Sequence, residues 1–113
     1  MHELGVLIHV VEQVSEVAAE NQVESIAKLV LQVGELCSMI PKYMEKVYPA
    51  AIEGTILEGS ELEIERIVAQ GKCRQCGHVF GLIEAKGACP SCSDRQFDIL
   101  QGREFIIKEI VCQ

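Results

Sequence analysis

The chain has 113 residues, 49% of them hydrophobic, and a formal net charge of −7, which is room for one modest core and not for two large domains. That acidity leaves no basic stripe of the kind that displaces counterions from a nucleic acid. No stretch approaches the roughly 20 uninterrupted apolar residues of a membrane span. The chain opens Met-His-Glu, with an acidic residue where a secretory leader is basic, so no signal peptide is expected.

Charge is placed unevenly. Residues 1–68 carry twelve Glu against four Lys/Arg, a net −8, whereas residues 69–100 carry a net +1 before any metal is counted.

In chain order, Leu4, Leu7, Ile8, Val11, Val14 and Ala18 recur at helical spacing with His9, Glu12, Gln13, Glu16 and Glu20 opposite, predicting a helix over 4–20. Val6, Val10 and Val17 widen the apolar face, so the helix needs more than one neighbour. Period two follows over 26–33, where Leu29, Leu31 and Val33 alternate with Lys28, Val30 and Gln32; Gly34 ends this strand. Met44, Val47, Tyr48, Ala51 and Ile52 predict a second helix over 41–53 with Pro41 in its first turn. Pro49 inside it removes an amide donor and clashes with the preceding turn, so a kink or a break is expected there.

Leu62 and Ile64 alternate with Glu61, Glu63 and Glu65 in a second strand that reaches about Val68. Gly71 breaks the pattern. Residues 102–111 give a third strand, and its two apolar faces predict the central place in the sheet.

Between these strands stand Cys73, Cys76, Cys89 and Cys92 in a C-x2-C-x12-C-x2-C spacing. Each pair can turn both sulfurs toward one ion, and two such knuckles close a tetrahedral thiolate cage suited to Zn²⁺. Gly77 and Pro90 supply turn chemistry at the right places. A disulfide framework or a redox pair is the competing reading. Four thiolates leave no open position for a substrate, so the zinc is read as structural. Cys37 and Cys112, outside the pairs, suit a reducing cytoplasm. Val79-Phe80 and Phe97-Asp98-Ile99 read as short strands of the zinc unit.

The expected fold is α+β: a two-layer α/β sandwich, two helices on a three-stranded mixed sheet, with a zinc-ribbon-like lobe inserted between two strands that pair antiparallel. The domains are expected at 1–70 plus 101–113 and at 71–100. Their joints fall near Gly71 and Gln101-Gly102, where hinging is plausible. A monomer and a homodimer both remain open.

Enzyme signatures are missing: no Gly-rich phosphate loop, no Gly-x-Ser-x-Gly and no His-Glu-x-x-His. Of the three histidines, His9 reads as a surface residue, and His78 as a neighbour of the first knuckle. His2 differs because it adjoins the α-amine of Met1. That amine, the amide nitrogen of His2 and its imidazole can close fused five- and six-membered chelate rings, a planar nitrogen set that suits Ni(II) or Cu(II). Glu3 adjoins it with an amide nitrogen and a carboxylate. On chemistry alone, a terminus that binds nothing is the competing reading.

Met1-His2-Glu3-Leu4, Val33-Gly34-Glu35-Leu36, Gly54-Thr55, Glu61-Leu62-Glu63-Ile64, the paired C-x-x-C motifs and Gly102-Arg103-Glu104-Phe105 run through the whole chain in one order. Together they resemble the HypA/HybF family, the nickel-incorporation accessory proteins of [NiFe]-hydrogenase maturation. The resemblance implies a metallochaperone and not an enzyme, with structural zinc on Cys73, Cys76, Cys89 and Cys92 and nickel at His2, beside Met1 and Glu3. It implies work with a P-loop GTPase, delivery to the hydrogenase large subunit, and in some organisms supply of urease through its accessory proteins. Some family members carry a His beside each cysteine pair. Here Gly77 and Ser93 follow the pairs and only His78 is near, which puts a pH-dependent change of zinc ligands in doubt.

The rival from another class is a zinc-ribbon adaptor that contacts a protein and uses no second metal. An enzyme using a metal at His2 is weaker still, for want of an acid/base constellation around it.

Overall fold

The structure, a computed structural model, describes residues 2–113. Its elements in chain order are α1 (His2–Glu20), β1 (Ile26–Gly34), α2 (Pro41–Ile52), β2 (Glu61–Ile67), β3 (Gln70–Cys73), β4 (Val79–Gly81), β5 (Phe97–Gln101) and β6 (Phe105–Cys112). Two helices accompany a mixed three-stranded sheet of order β2-β1-β6, and β4-β3-β5 make a second sheet. The chain divides into two compact units, Met1–Leu31 with Ser38–Glu65 and Ile106–Gln113, and Gln32–Cys37 with Arg66–Phe105.

In the first unit α1 packs on α2. The helical spacing read from the sequence puts Leu7, Val10, Val11, Val14 and Ala18 on the buried side of α1, and Met44, Tyr48, Ala51 and Ile52 on that of α2. Ile26, Leu29, Val30 and Leu31 of β1 are buried as well. Burial of neighbours on both faces marks a central strand, and β1 holds that place. The third strand of the sequence reading, β6, is instead at an edge. Its alternation of half-buried and exposed residues explains why: Ile106, Lys108 and Glu109 face solvent. Nor do the two strands flanking the cysteines pair with each other, since β2 and β6 lie on opposite sides of β1. Lys28 of β1 pairs with Glu63 of β2 at 2.6 Å, and Lys108 of β6 holds Glu65 of β2 at 2.8 Å.

Two helix boundaries differ from expectation. α1 begins at His2, two residues before the first residue of the apolar stripe. α2 continues through Pro49 to Ile52, so the proline does not break it; the donor it lacks is lost in the last turn of the helix.

The second unit is built on β3, which pairs antiparallel with β4 (Gly71 opposite Phe80) and with β5 (Gly71 opposite Ile99). Its core is Ala69, Cys73, Phe80, Leu82 and Cys89, with Ala85, Phe97 and Ile99 against it. Gly71 and Gly102, expected at the joints, both lie inside this unit. Around Gly34 the backbones cross closely: a Cβ there would run into the Gly102 carbonyl. The Gly34 amide donates to Glu104 O at 2.7 Å, the Glu35 amide to Ile67 O at 2.9 Å, and the Leu36 amide to Gly102 O at 2.7 Å. The Glu35 carboxylate accepts from the Ala69 amide at 2.7 Å, and that of Glu104 from the Gly102 amide at 2.6 Å. These contacts give physical work to two of the sequence motifs, Val33-Gly34-Glu35-Leu36 and Gly102-Arg103-Glu104-Phe105.

Candidate metal centres

Two local turns build the cysteine centre, and they repeat one hydrogen-bond pattern. In the first, the Gly77 amide donates to Cys73 O at 2.9 Å and the Cys73 amide to His78 O at 2.9 Å. In the second, the Ser93 amide donates to Cys89 O at 2.7 Å and the Cys89 amide to Asp94 O at 2.9 Å. Both turns close on a residue in the left-handed region, Gly77 at φ 78° and Ser93 at φ 66°. Glycine is at ease there; serine is not.

The turns bring all four sulfurs within 4.8 Å of one another. The closest approaches run between the knuckles, Cys73 to Cys92 and Cys76 to Cys89, each at 3.5 Å. A disulfide would need about 2.05 Å, whereas four thiolates at about 2.3 Å from one tetrahedral ion stand about 3.8 Å apart. The spacing is that of a metal cage. Cys73 and Cys89 are buried in the core of the second unit, and Cys76 and Cys92 are exposed.

Electrostatics point the same way. The amides of Cys76 and then Gln75, with the neighbouring thiols Cys92 and Cys76, bring Cys73 down to about 7 against burial. The Asp94 amide favours the Cys92 thiolate, but the Cys73 sulfur, burial, and the Cys76 and Cys89 sulfurs outweigh it and push that thiol up to about 12. At Cys76 the His78 amide is likewise outweighed, chiefly by Cys89 and by burial, and the thiol is raised. Four sulfurs this close cannot all carry charge unless a cation shares the space, and a dication such as Zn²⁺ supplies it. The four-cysteine cluster fits a structural zinc site. Its role when filled is to tie the two knuckles together. His78 is not among the clustered ligands; its ring stacks on Phe80 with centroids 6.5 Å apart.

His2 is the first residue of α1 and its side chain is 56% exposed. The first amides of a helix have no acceptor within it, so the His2 amide is free of the helical ladder. Met1, whose amine completes the chelate read from the sequence, lies outside the described residues. The Glu3 side chain turns inward: it is 3% exposed, the one buried charged side chain among the described residues. Its Oε2 accepts from the Ile40 amide at 3.4 Å, and its Oε1 lies 3.8 Å from His2 Nδ1. Its own backbone amide, and to a lesser degree the Ile40 amide, hold its carboxyl below the usual range despite burial. Glu3, Leu4, Tyr43, Lys46 and Val47 line a cleft of about 200 Å³ beside it. No sequence signal flagged the contact with Ile40, which joins residues 37 apart. The one available hint was the lack of a polar residue at the start of α2.

Comparison with known proteins agrees with this geometry. A family model for hydrogenase/urease nickel incorporation, the metallochaperone hypA, matches residues 1–112. A hydrogenase maturation factor HypA from Trichodesmium erythraeum is 40% identical over 110 residues, covering 97% of this chain and 94% of that protein. One from Chlorobium limicola is 32% identical over 113 residues, covering 100% and 97%. The solution structure of the Ni metallochaperone HypA from Helicobacter pylori shares the fold, with a TM-score of 0.67, 24% identity, and coverage of 99% of this chain and 97% of that one. A second solution structure of a HypA protein gives a TM-score of 0.71 at 24% identity, covering 100% and 97%. The chain therefore belongs to the HypA family, the metallochaperones of hydrogenase/urease nickel incorporation.

Proposed function

We propose that this protein carries one nickel ion at its N-terminus and one zinc ion on Cys73, Cys76, Cys89 and Cys92, and that only the nickel is passed on. The nickel donors in this reading are the Met1 amine and the amide and imidazole nitrogens of His2, with Glu3 adjoining. The helical unit carries the cargo, and the cysteine unit keeps its metal. The recipients are the hydrogenase large subunit, reached with a P-loop GTPase of the maturation pathway, and the urease accessory proteins where that enzyme is made. The work takes place in the cytoplasm; among the described residues, no helix is long and apolar enough to cross a membrane.

The observation that carries the reading is the contrast between donor sets. His2 is exposed at a helix start, whereas the four sulfurs stand within 4.8 Å of one another with Cys73 and Cys89 in the core. Transfer requires that an incoming ligand attack before the outgoing ones leave, and an open nitrogen site allows that. Zinc in the soft thiolate site also leaves the harder nitrogen site to nickel. Imidazole and amide donors compete with protons, so nickel affinity falls with pH.

The test is a nickel titration of zinc-loaded, untagged protein beside His2→Ala, with zinc measured before and after. Binding of about one nickel per chain by the parent alone, with zinc unchanged in both, supports the reading. Equal binding by both proteins, or by neither, would favour an adaptor without a second metal.

A further inference from the structure

Helix α2 starts without a cap of its own. Its N-cap residue is Ile40, which has no side-chain acceptor, and Pro41 follows at the first helical position. In a capping box the third helical residue, a Glu or Gln, reaches back to the N-cap amide. Here that position is Tyr43, whose backbone amide donates to Ile40 O at 3.0 Å and whose ring is half exposed. The reciprocal half of the box is missing locally. It is supplied from α1: Glu3 Oε2 accepts from the Ile40 amide at 3.4 Å.

The placement has consequences for both helices. A carboxylate in the first turn of α1 and against the N-terminus of α2 meets two positive helix ends at once, which is where an anion is favoured. It is also buried, at 3% exposure, so its position is set by packing and not by solvent. Its second oxygen stands 3.8 Å from His2 Nδ1. One carboxylate thus links the start of α2 to the residue that holds the cargo.

We propose that Glu3 is a positioning residue for the nickel end and not a nickel ligand: its carboxylate completes the cap of α2 from α1 and so holds the first turn of α1, with His2, in one place. The inference rests on nickel binding at His2. One oxygen of the carboxylate is committed to the Ile40 amide, and its burial keeps it out of the solvent in which the His2 imidazole stands exposed. Its negative charge also offsets the two helix ends, which would otherwise repel a dication. The cap and the cargo site are coupled through a single side chain.

Glu3→Ala and Glu3→Gln separate this role from ligation. Three quantities are read on zinc-loaded, untagged protein: hydrogen exchange at Ile40 and the first turn of α2 without nickel, nickel affinity at neutral pH, and the nickel d–d absorption spectrum at saturation. Glu3→Ala should speed exchange at Ile40 about fivefold, the loss expected for a helix cap. It should weaken nickel about tenfold, the scale on which partners of a metal-binding His act. Its spectrum at saturation should match the parent's. Glu3→Gln still offers Ile40 an acceptor oxygen and should restore most of the exchange protection.

A changed spectrum in either variant would make the carboxylate a ligand and overturn the proposal. So would unchanged exchange at Ile40 in Glu3→Ala, or a Gln variant that exchanges as fast as the Ala variant. His2→Ala in the same series keeps the two ideas apart. If it binds nickel like the parent, the site reading fails and takes the positioning role with it, whatever the exchange data show.

Discussion

The two metal sites proposed for this molecule are built on opposite plans. The cysteine cage draws four side chains from two turns that repeat one backbone pattern, and half of its sulfurs are core residues. The proposed nickel end depends on one exposed side chain and the first nitrogens of a helix, steadied by a buried carboxylate from the next residue. A metal held by side chains that are also the core can leave only if the unit loosens. A metal held at a helix start can leave with no change to the core at all. Retention and transfer follow from where the donors sit more than from what they are.

The largest effect is expected from taking a sulfur out of the core. Cys73→Ser should abolish stoichiometric zinc and strip exchange protection from β3, β4 and β5, because structural zinc contributes about 10–16 kcal/mol in small zinc folds at neutral pH. Metal analysis with hydrogen exchange reads this directly. One zinc per chain with intact protection would mean that the cage is not what holds the second unit.

Next in size is the backbone crossing at Gly34. Gly34→Ala would drive a Cβ into the Gly102 carbonyl, with no flexible side chain to give way. A loss of about 3 kcal/mol in urea unfolding is expected, in the range of severe overpacking. A loss below about 1 kcal/mol would show that the crossing yields easily.

The two knuckles differ at one matched position, and exchanging residues there should move stability in opposite directions. Ser93→Gly relieves a left-handed serine at φ 66° and should stabilise by about 1 kcal/mol. Gly77→Ser, at φ 78°, should destabilise by about as much. Like signs for the two would remove backbone strain as the explanation.

The smallest effect lies on the sheet of the first unit. Hydrogen bonds from the Lys108 ammonium to the Glu65 carboxylate, at 2.8 and 2.9 Å, raise the lysine above its ordinary range. A raised lysine stabilises the fold below its ordinary pKa and loses that contribution as pH rises through the folded value. Glu65→Gln should therefore flatten the alkaline fall in stability relative to the parent and matter little for its slope near neutrality. Parallel curves above pH ~10 would leave the pair without linkage.

What the sequence allowed to be read follows the range of the interactions. The cage was legible because four cysteines at short, fixed spacings carry their geometry with them. Both helices were legible from their apolar stripes. Sheet order was not: β1 and β6 both look apolar, and only burial in the fold tells the central strand from the edge. β3 is hidden in the sequence because Gly71 looks like a breaker. In the fold its missing side chain is what admits Leu82 and Phe97, and a Cβ there would lie 2.7 Å from Leu82 Cδ2. Pro49 looks like an interruption, yet α2 runs past it to Ile52. At Glu3 the sequence shows a carboxylate and its proximity to His2. Its burial depends on Ile40, and no local pattern announces a cap that comes from another helix.

The most direct test of the account is a release experiment on protein loaded with both metals. A chelator such as EDTA is added at neutral pH, and nickel and zinc remaining on the protein are followed together in time. The account predicts that nickel leaves first while zinc stays at one per chain and β3 keeps its exchange protection. Loss of both metals at one rate, or of zinc before nickel, would contradict the division of labour between an open terminus and a closed cage.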